Sequence, residues 1–437
     1  MFSYYFKLGL RSLRRNPALT ALMVLTLAIG VAASVSTLTI LHMMSGDPIP
    51  HKSGRLFVPI FEVGPLEGYD PKDKKERENQ MTYQDVVNLL KSPAGVRRTA
   101  LYGIAPPVEP PRKELPPFIA TGMAPTRDFF AMFEVPFLRG QPWSAQDDAR
   151  GADVVVLSRE MAEKLFGEAD PVGQRLTVMG APFTVVGVID KWAPQPRYYK
   201  IVGGDQFGSG EDLFVPLASA IRHEANHNGG MNCSKRSEPG FQGTLRSECT
   251  WMQFWFETGA SADRGDLQDY LNAYVADQRK LGRMQRKVPA ALYNVNEWLE
   301  EQELVGKDTK LSVWLAFGFL LLCLVNTIGL LLAKFSVRAA EVGIRRALGA
   351  SRREIFRQFL IESAVVGLAG GVLGLVLSFG ALALIGMQST EAAAVAHMDL
   401  AMLGFTFALS VLAAVLAGLL PTWRACQVTP ALQLKSQ

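Results

Sequence analysis

Four stretches of the chain contain no Asp, Glu, Lys or Arg: residues 18–46, 311–333, 363–388 and 400–423. Each exceeds the roughly 20 residues needed to cross a bilayer. Buried helices of a globular core rarely run so far without a charge, so the pattern predicts four spanning helices, over 17–44, 311–334, 359–388 and 400–423. Between the first and second lies a polar stretch, 45–310, long enough to bury a core of its own.

Within that stretch the periodicity changes repeatedly. Met81–Leu90 reads as a helix with Thr82 as its cap, and Pro106–Pro117 is a proline-rich loop. A strand (Val154–Leu157), a helix (Arg159–Phe166), a turn at Asp170-Pro171 and a hairpin with Gly180 at its tip follow. Leu213–Pro216 reads as a short strand. The segment from Ile221 to Thr250 turns rich in Asn, Gly, Ser and charge, which predicts an inserted subdomain at about 218–250. Thr250–Thr258, TWMQFWFET, is apolar on both faces and reads as a buried strand. Asp263–Lys280 is amphipathic, with Leu267, Tyr270, Leu271 and Tyr274 on one side, and Leu292–Val295 is a last strand. The polar run from Glu297 to Asp308 leads into the second span, predicting a continuous stalk helix over 296–310.

Charge placement sets the expected topology. Lys7, Arg11, Arg14 and Arg15 precede the first span, seven Lys and Arg lie between Lys334 and Arg357, and Arg424 and Lys435 follow the fourth. The loop 389–399 has none. Lys and Arg are retained on the cytoplasmic side, so both termini are expected there and the large domain outside. The net charge of +4 is then a topology signal and argues for no nucleic-acid partner. Phe2, Phe6, Gly9 and Leu13 form the apolar stripe of an interfacial helix over 1–16, its basic residues facing lipid headgroups. A cleaved signal peptide competes with this reading, but the apolar run is far longer than a 7–15-residue signal core.

The basic segment between the second and third spans, KFSVRAAEVGIRRALGASRREIFRQFLIE, has a pattern of its own. Ala340, Ile344, Ala347 and Leu348 recur at helical spacing, with Arg338, Glu341, Arg345 and Arg346 elsewhere. Gly349 is a helix stop, and Ser351 with Glu354 spells a capping box for the next helix. A short amphipathic helix along the membrane, assigned to 335–358, is the expected result. The remaining cytoplasmic residues form a tail, 424–437.

Candidate chemistry is sparse. His223, Glu224 and His227 match H-E-x-x-H, which on a helix would put two zinc ligands and a base on one face. Cys233 or Glu248 would be the third ligand. Against a protease, the Asn and Gly residues at 226–230 would end the helix at the second histidine, and Cys233 cannot both bind metal and pair with Cys249. An oxidising exterior favours that disulfide, which would contribute about 3 kcal/mol by the chain-entropy model. Cys323 and Cys426 are expected free. No G-x-x-x-x-G-K-[ST] occurs, so this sequence has no P-loop of its own. Gly367, Gly370, Gly371 and Gly374 in the third span, with Ala413, Ala414, Ala417 and Gly418 in the fourth, predict close helix packing. Polar groups within the spans are few beyond Asn326 and Glu362.

The order of Glu341, Gly343, Ile344, Arg345, Gly349 and Ala350, with Asn326 upstream, resembles the cytoplasmic coupling segment of the FtsX-like, MacB-type permeases of ABC transporters. TGMAPTRDFFAMFEVPFLRGQPW and DVVVLSREMAEKLFGEADPVGQRLTVMGAPFTVVGVID resemble the external core domain of the same family. The resemblance implies an α-helical inner-membrane protein of four spans with an extracytoplasmic α+β domain between the first and second. It implies a non-catalytic permease that uses ATP and Mg only through a partner ATPase. Glu341, Gly343, Ile344, Arg345, Arg346, Ala347, Leu348 and Gly349 would be the ATPase-coupling residues. A second permease chain, identical or paralogous, is implied, and an adaptor with an outer-membrane channel is compatible with it. Export or extraction of material from the outer face is the implied work; regulation of a cell-wall hydrolase, and a membrane-anchored zinc protease, are the alternatives.

Overall fold

The computed structural model describes the chain except residues 1–15, 68, 71–72, 74–76, 113, 202–205, 236, 389–395, 397–399 and 427–437. The expected interfacial helix, nearly all of the loop 389–399 and most of the tail therefore lie outside the described residues. The chain divides into two units, one of Met1–Ser45 with Val305–Gln437 and one of Gly46–Leu304.

The first unit is helical: α1 (Pro17–Ser45), α2 (Lys307–Val337), α3 (Ala339–Ala347), α4 (Arg352–Gly386) and α5 (Leu400–Cys426). All but α3 are long and apolar enough to cross a membrane. The amphipathic helix is shorter than the 335–358 assigned from sequence, because α2 runs on to Val337 and the Ser351–Glu354 capping box starts α4 at Arg352. Residues 352–358 thus belong to the third spanning helix. Gly367, Gly370, Gly371 and Gly374 of α4 are buried, and α1 is the close neighbour of Gly370 and Gly374. A methyl at position 370 would lie 2.9 Å from Leu27 Cβ, and one at 374 would lie 3.0 Å from the Ala28 carbonyl oxygen. On the other side, a methyl at position 418 of α5 would reach 2.4 Å from Ser363 Cβ. Without a hydrophobic drive between spanning helices, such close backbone approach supplies the packing attraction.

The second unit is α+β. Its central strand, Thr250–Glu257, is buried at all eight positions and lies antiparallel between Leu56–Ile60 and Arg97–Ile104. Leu56–Ile60 pairs on its other edge with Ala291–Asn294. From Arg97–Ile104 the sheet continues through Gly122–Pro125, Leu213–Phe214, Val154–Leu157 and Ala181–Ile189. Val154–Leu157 and Ala181–Ile189 are parallel, joined across the helix Arg159–Phe166, whose cap is Ser158. The hairpin that closes this unit turns at Met179 and Gly180, both with positive φ, which suits a two-residue turn. Thr82 caps the helix Tyr83–Leu90 through the Asp85 amide. One core gathers Tyr102, Trp251, Phe254 and Phe256 with Leu267 and Leu271 of the helix Arg264–Lys280.

Two sequence expectations fail here. Residues 221–250 do not build a subdomain with a core of their own. They lie against the sheet through bridges from His227 to Ile104 and from Asn232 to Thr250, and Phe241 and Leu245 pack on the main core. The stalk is not continuous either. The helix Val295–Glu301 ends with Glu303 at φ 47°, its amide bonded to the Glu300 carbonyl, and the Leu304 amide bonded to the Leu299 carbonyl. That pair of bonds is a Schellman cap, and the two residues that such a cap commonly brings together, Leu299 and Leu304, are both buried. Gly306 then starts α2 afresh.

Candidate functional site

The amphipathic helix α3 is held by one face and presents another. Val342 is buried with Phe335, Ile355 and Phe359, and the Phe335 and Phe359 rings lie 4.3 Å apart. Ile344 and Leu348, from the apolar face read in the sequence, point away from the bundle at 59% and 83% exposure. So α3 has two apolar faces, and sequence reading found only the outer one. Arg345 bonds Glu341 one turn back at 2.5 Å and the Gln358 side chain at 2.9 Å, bracing the exposed face against α4. Gly343 lies mid-helix, and the side chains of Arg346 and Ala347 lie outside the described residues. Gly349 takes φ +98°, a conformation that only glycine adopts without strain, and this reverses the chain into α4.

Behind α3 is a charge cluster that the sequence does not announce. Glu362 of α4 is buried and pairs with Lys334 at 2.7 Å and with Arg338 at 3.1 Å. The Lys334 side chain is fully enclosed. Lys334 closes α2 and Arg338 bridges α2 to α3, so one carboxylate ties three helices together. Lys334 and Arg338 stand one helical turn apart, and Glu362 directly precedes an uncharged run; that juxtaposition was the available signal.

The H-E-x-x-H spelling builds no helical face. The helix Leu217–Arg222 ends before His223, and Glu224 takes φ +50° in a second Schellman cap, with Glu224 bonded to Ile221 and Ala225 to Ala220. The helix thus stops at the first histidine rather than the second. His223 bonds Asp153 at 2.8 Å, His227 bonds the Gly229 carbonyl at 3.0 Å, and Glu224 accepts from Gln242. Glu248 is gripped by Arg283 at 2.7 and 2.9 Å. Among the described residues no three His, Cys, Asp or Glu cluster at metal-binding distance. Cys233 and Cys249 are joined in a disulfide, and Cys323 is a buried free thiol.

Burial opposes ionisation of Asp153, but hydrogen bonds from His223, Ser219 and Arg222 outweigh it and hold its carboxyl below the usual range. A depressed carboxyl contributes stability above its unfolded pKa, about 3.9, and that contribution is lost as pH falls through the folded value. The stability gap between the natural chain and Asp153→Asn should therefore be constant above about pH 5 and close below about pH 4. Unfolding followed by hydrogen exchange at 217–223 checks it; a gap that does not shrink as pH falls below about 4 refutes the assignment.

Comparison with known proteins agrees with both units. The model of the MacB-like periplasmic core domain matches residues 20–274, and that of the FtsX-like permease C-terminal region matches 313–430. The macrolide export ATP-binding/permease protein MacB of Rhodopirellula baltica is 26% identical over 83% of this chain and 52% of its own length. The pyoverdine export ATP-binding/permease protein PvdT of Pseudomonas entomophila is 29% identical over 71% of this chain and 42% of its own. The chain spans about half the length of the curated relatives it matches. The periplasmic region of MacB from Actinobacillus actinomycetemcomitans aligns with 57% of this chain and 92% of its own, at 14% identity and a TM-score of 0.36. With the core-domain model covering more than half its residues and the permease model covering the helices that carry α3, this chain belongs to the FtsX-like ABC-transporter permeases with a MacB-like periplasmic core domain.

Proposed function

We propose that this chain is a non-catalytic permease that converts the ATP cycle of a separate ATPase into motion of its spans and external domain, for export from the periplasmic side. Both termini and α3 are cytoplasmic in this reading, on the strength of the Lys and Arg bias. The observation that carries it is the two-faced α3. Val342 anchors the helix while Ile344 and Leu348 stand exposed as the surface an ATPase would grip, beside the braced Glu341–Arg345 pair. Through Glu362, displacement of α3 would draw α2 and α4 with it. Nucleotide-bound ATPase must hold one position of α3 better than the other, because a partner without differential affinity shifts nothing. The names of the relatives make macrolides and pyoverdine the first cargoes to test.

Changing Ile344 and Leu348 together to Asp should abolish copurification of the ATPase while leaving the folded chain intact, because both side chains are exposed. Burial of a Leu or Ile contributes about 1.5–3 kcal/mol, so losing two should weaken the complex more than a hundredfold. Undiminished ATPase capture by the double variant defeats the proposal.

A further inference from the structure

The outward side of α4 is apolar along most of its length and ends in charge. Arg353, Arg357, Ile361, Ala364, Leu368 and Val372 follow one another at steps of three and four, and all are exposed or half-exposed. They form one stripe along the helix, apolar from Ile361 onward and basic below it. Arginine does not stay in hydrocarbon when water is within reach of its side chain, so on this face the hydrocarbon ends between Ile361 and Arg357. Arg357 and Arg353 lie about 6 Å and about 12 Å below Ile361 along the axis. The headgroup layer is about 5–7 Å deep, so both long side chains end at the level of lipid phosphates.

Both charges are unmatched. Among the described residues neither guanidinium makes a hydrogen bond or an ion pair. The nearby Glu354 is turned to the Ser351 amide and hydroxyl, at 2.9 and 3.0 Å, and acts on Arg357 only through its field. Two like charges one turn apart repel, and the start of a helix is the end where cations are least favoured. Nor do the arginines hold α3. Ile355, Gln358 and Glu362 do that, on a side of α4 about 150° round from them.

We propose that Arg353 and Arg357 hold one anionic phospholipid, its phosphate between the two guanidiniums and its acyl chains along Ile361, Leu368 and Val372. Guanidinium suits phosphate in both charge and hydrogen-bond geometry. A zwitterionic lipid also offers a phosphate, but it brings a cation that the second arginine repels. The apolar stripe directly above the charges selects a lipid over free phosphate. The inference stands on α4 as a spanning helix and does not use the ATPase role of α3.

The test titrates the full chain, in a neutral maltoside detergent, with dioleoylphosphatidylglycerol or dioleoylphosphatidylcholine and counts bound lipids by native mass spectrometry. Each basic residue near a membrane surface contributes about a fivefold preference for anionic lipid, so the first phosphatidylglycerol should bind about ten- to twentyfold tighter than phosphatidylcholine. Arg353→Gln or Arg357→Gln alone should lower that preference about fivefold, and the two together should bring the lipids level. Both side chains are exposed, so the fold is kept. Lys310→Gln, exposed at the far end of α2, should leave the preference intact. Equal binding of both lipids by the natural chain, a preference that survives in the double variant, or an equal loss in the Lys310 variant overturns the inference. So does displacement of the lipid by glycerol 3-phosphate, which would make this a site for free phosphate. ATPase capture tests the competing partner: a double variant that drops the ATPase and keeps its phosphatidylglycerol would assign the arginines to the ATPase instead.

Discussion

Glu362→Leu is expected to destabilise the helical unit by about 3–5 kcal/mol, the usual result of deleting one member of a buried ion pair. Lys334 is fully enclosed and its carboxylate is the counter-charge at 2.7 Å. Without it the ammonium must either tear α2 away from α4 to reach water or remain buried alone. Arg338, partly exposed, can turn outward along its apolar stem and suffers less. The double change Lys334→Met with Glu362→Leu should therefore recover most of the loss, since a matched apolar pair is often neutral or better. Melting of the purified full chain, read for single and double variants, decides between the two outcomes. A Glu362→Leu protein that melts with the natural chain would mean the cluster is hydrated and does not tie the helices.

Arg283→Leu should cost a similar amount, about 3–5 kcal/mol, in the polar unit. Its guanidinium forks between the buried Asp85 and Glu248, at 2.7–2.9 Å. Asp85 also accepts from Thr82 and Tyr274, both at 2.6 Å, but these are neutral donors. Burial, then the nearby carboxylate, pushes the Tyr274 phenol well above its ordinary value, so it stays a donor and cannot replace the lost charge. Glu248 adjoins Cys249, so the same arginine also steadies the disulfide-closed loop. Arg283→Lys keeps the charge and loses the fork, and should fall between the natural chain and Arg283→Leu. Denaturant unfolding of the three proteins checks the order; equal midpoints would show that Asp85 rehydrates at little cost.

What the sequence made legible was local or strongly periodic. Uncharged runs mark the spans because bilayer thickness demands length, and Ser351 with Glu354, or Thr82, mark helix starts because a side chain must satisfy the orphan amides. The two helix ends read wrongly share one cause. At Glu224 and at Glu303 a glutamate takes the left-handed position where glycine is the usual sign, so the Schellman cap carried no composition cue. One error put the helix end at the second histidine instead of the first, and the other built a stalk that does not run through. The Lys334–Arg338–Glu362 cluster was hidden differently: its members are ordinary residues of a basic linker until helix packing brings α2 and α4 together.

Leu56–Ile60 opens the polar domain, yet both of its neighbours in the sheet, Thr250–Glu257 and Ala291–Asn294, come from the far end of it. Its ladder cannot be completed until nearly the whole domain has left the ribosome. Closing such long loops is slow, and an apolar strand that waits unpaired invites proteases and foreign strands. Maturation of this protein, more than its finished form, is therefore where chaperone supply and synthesis rate should matter most.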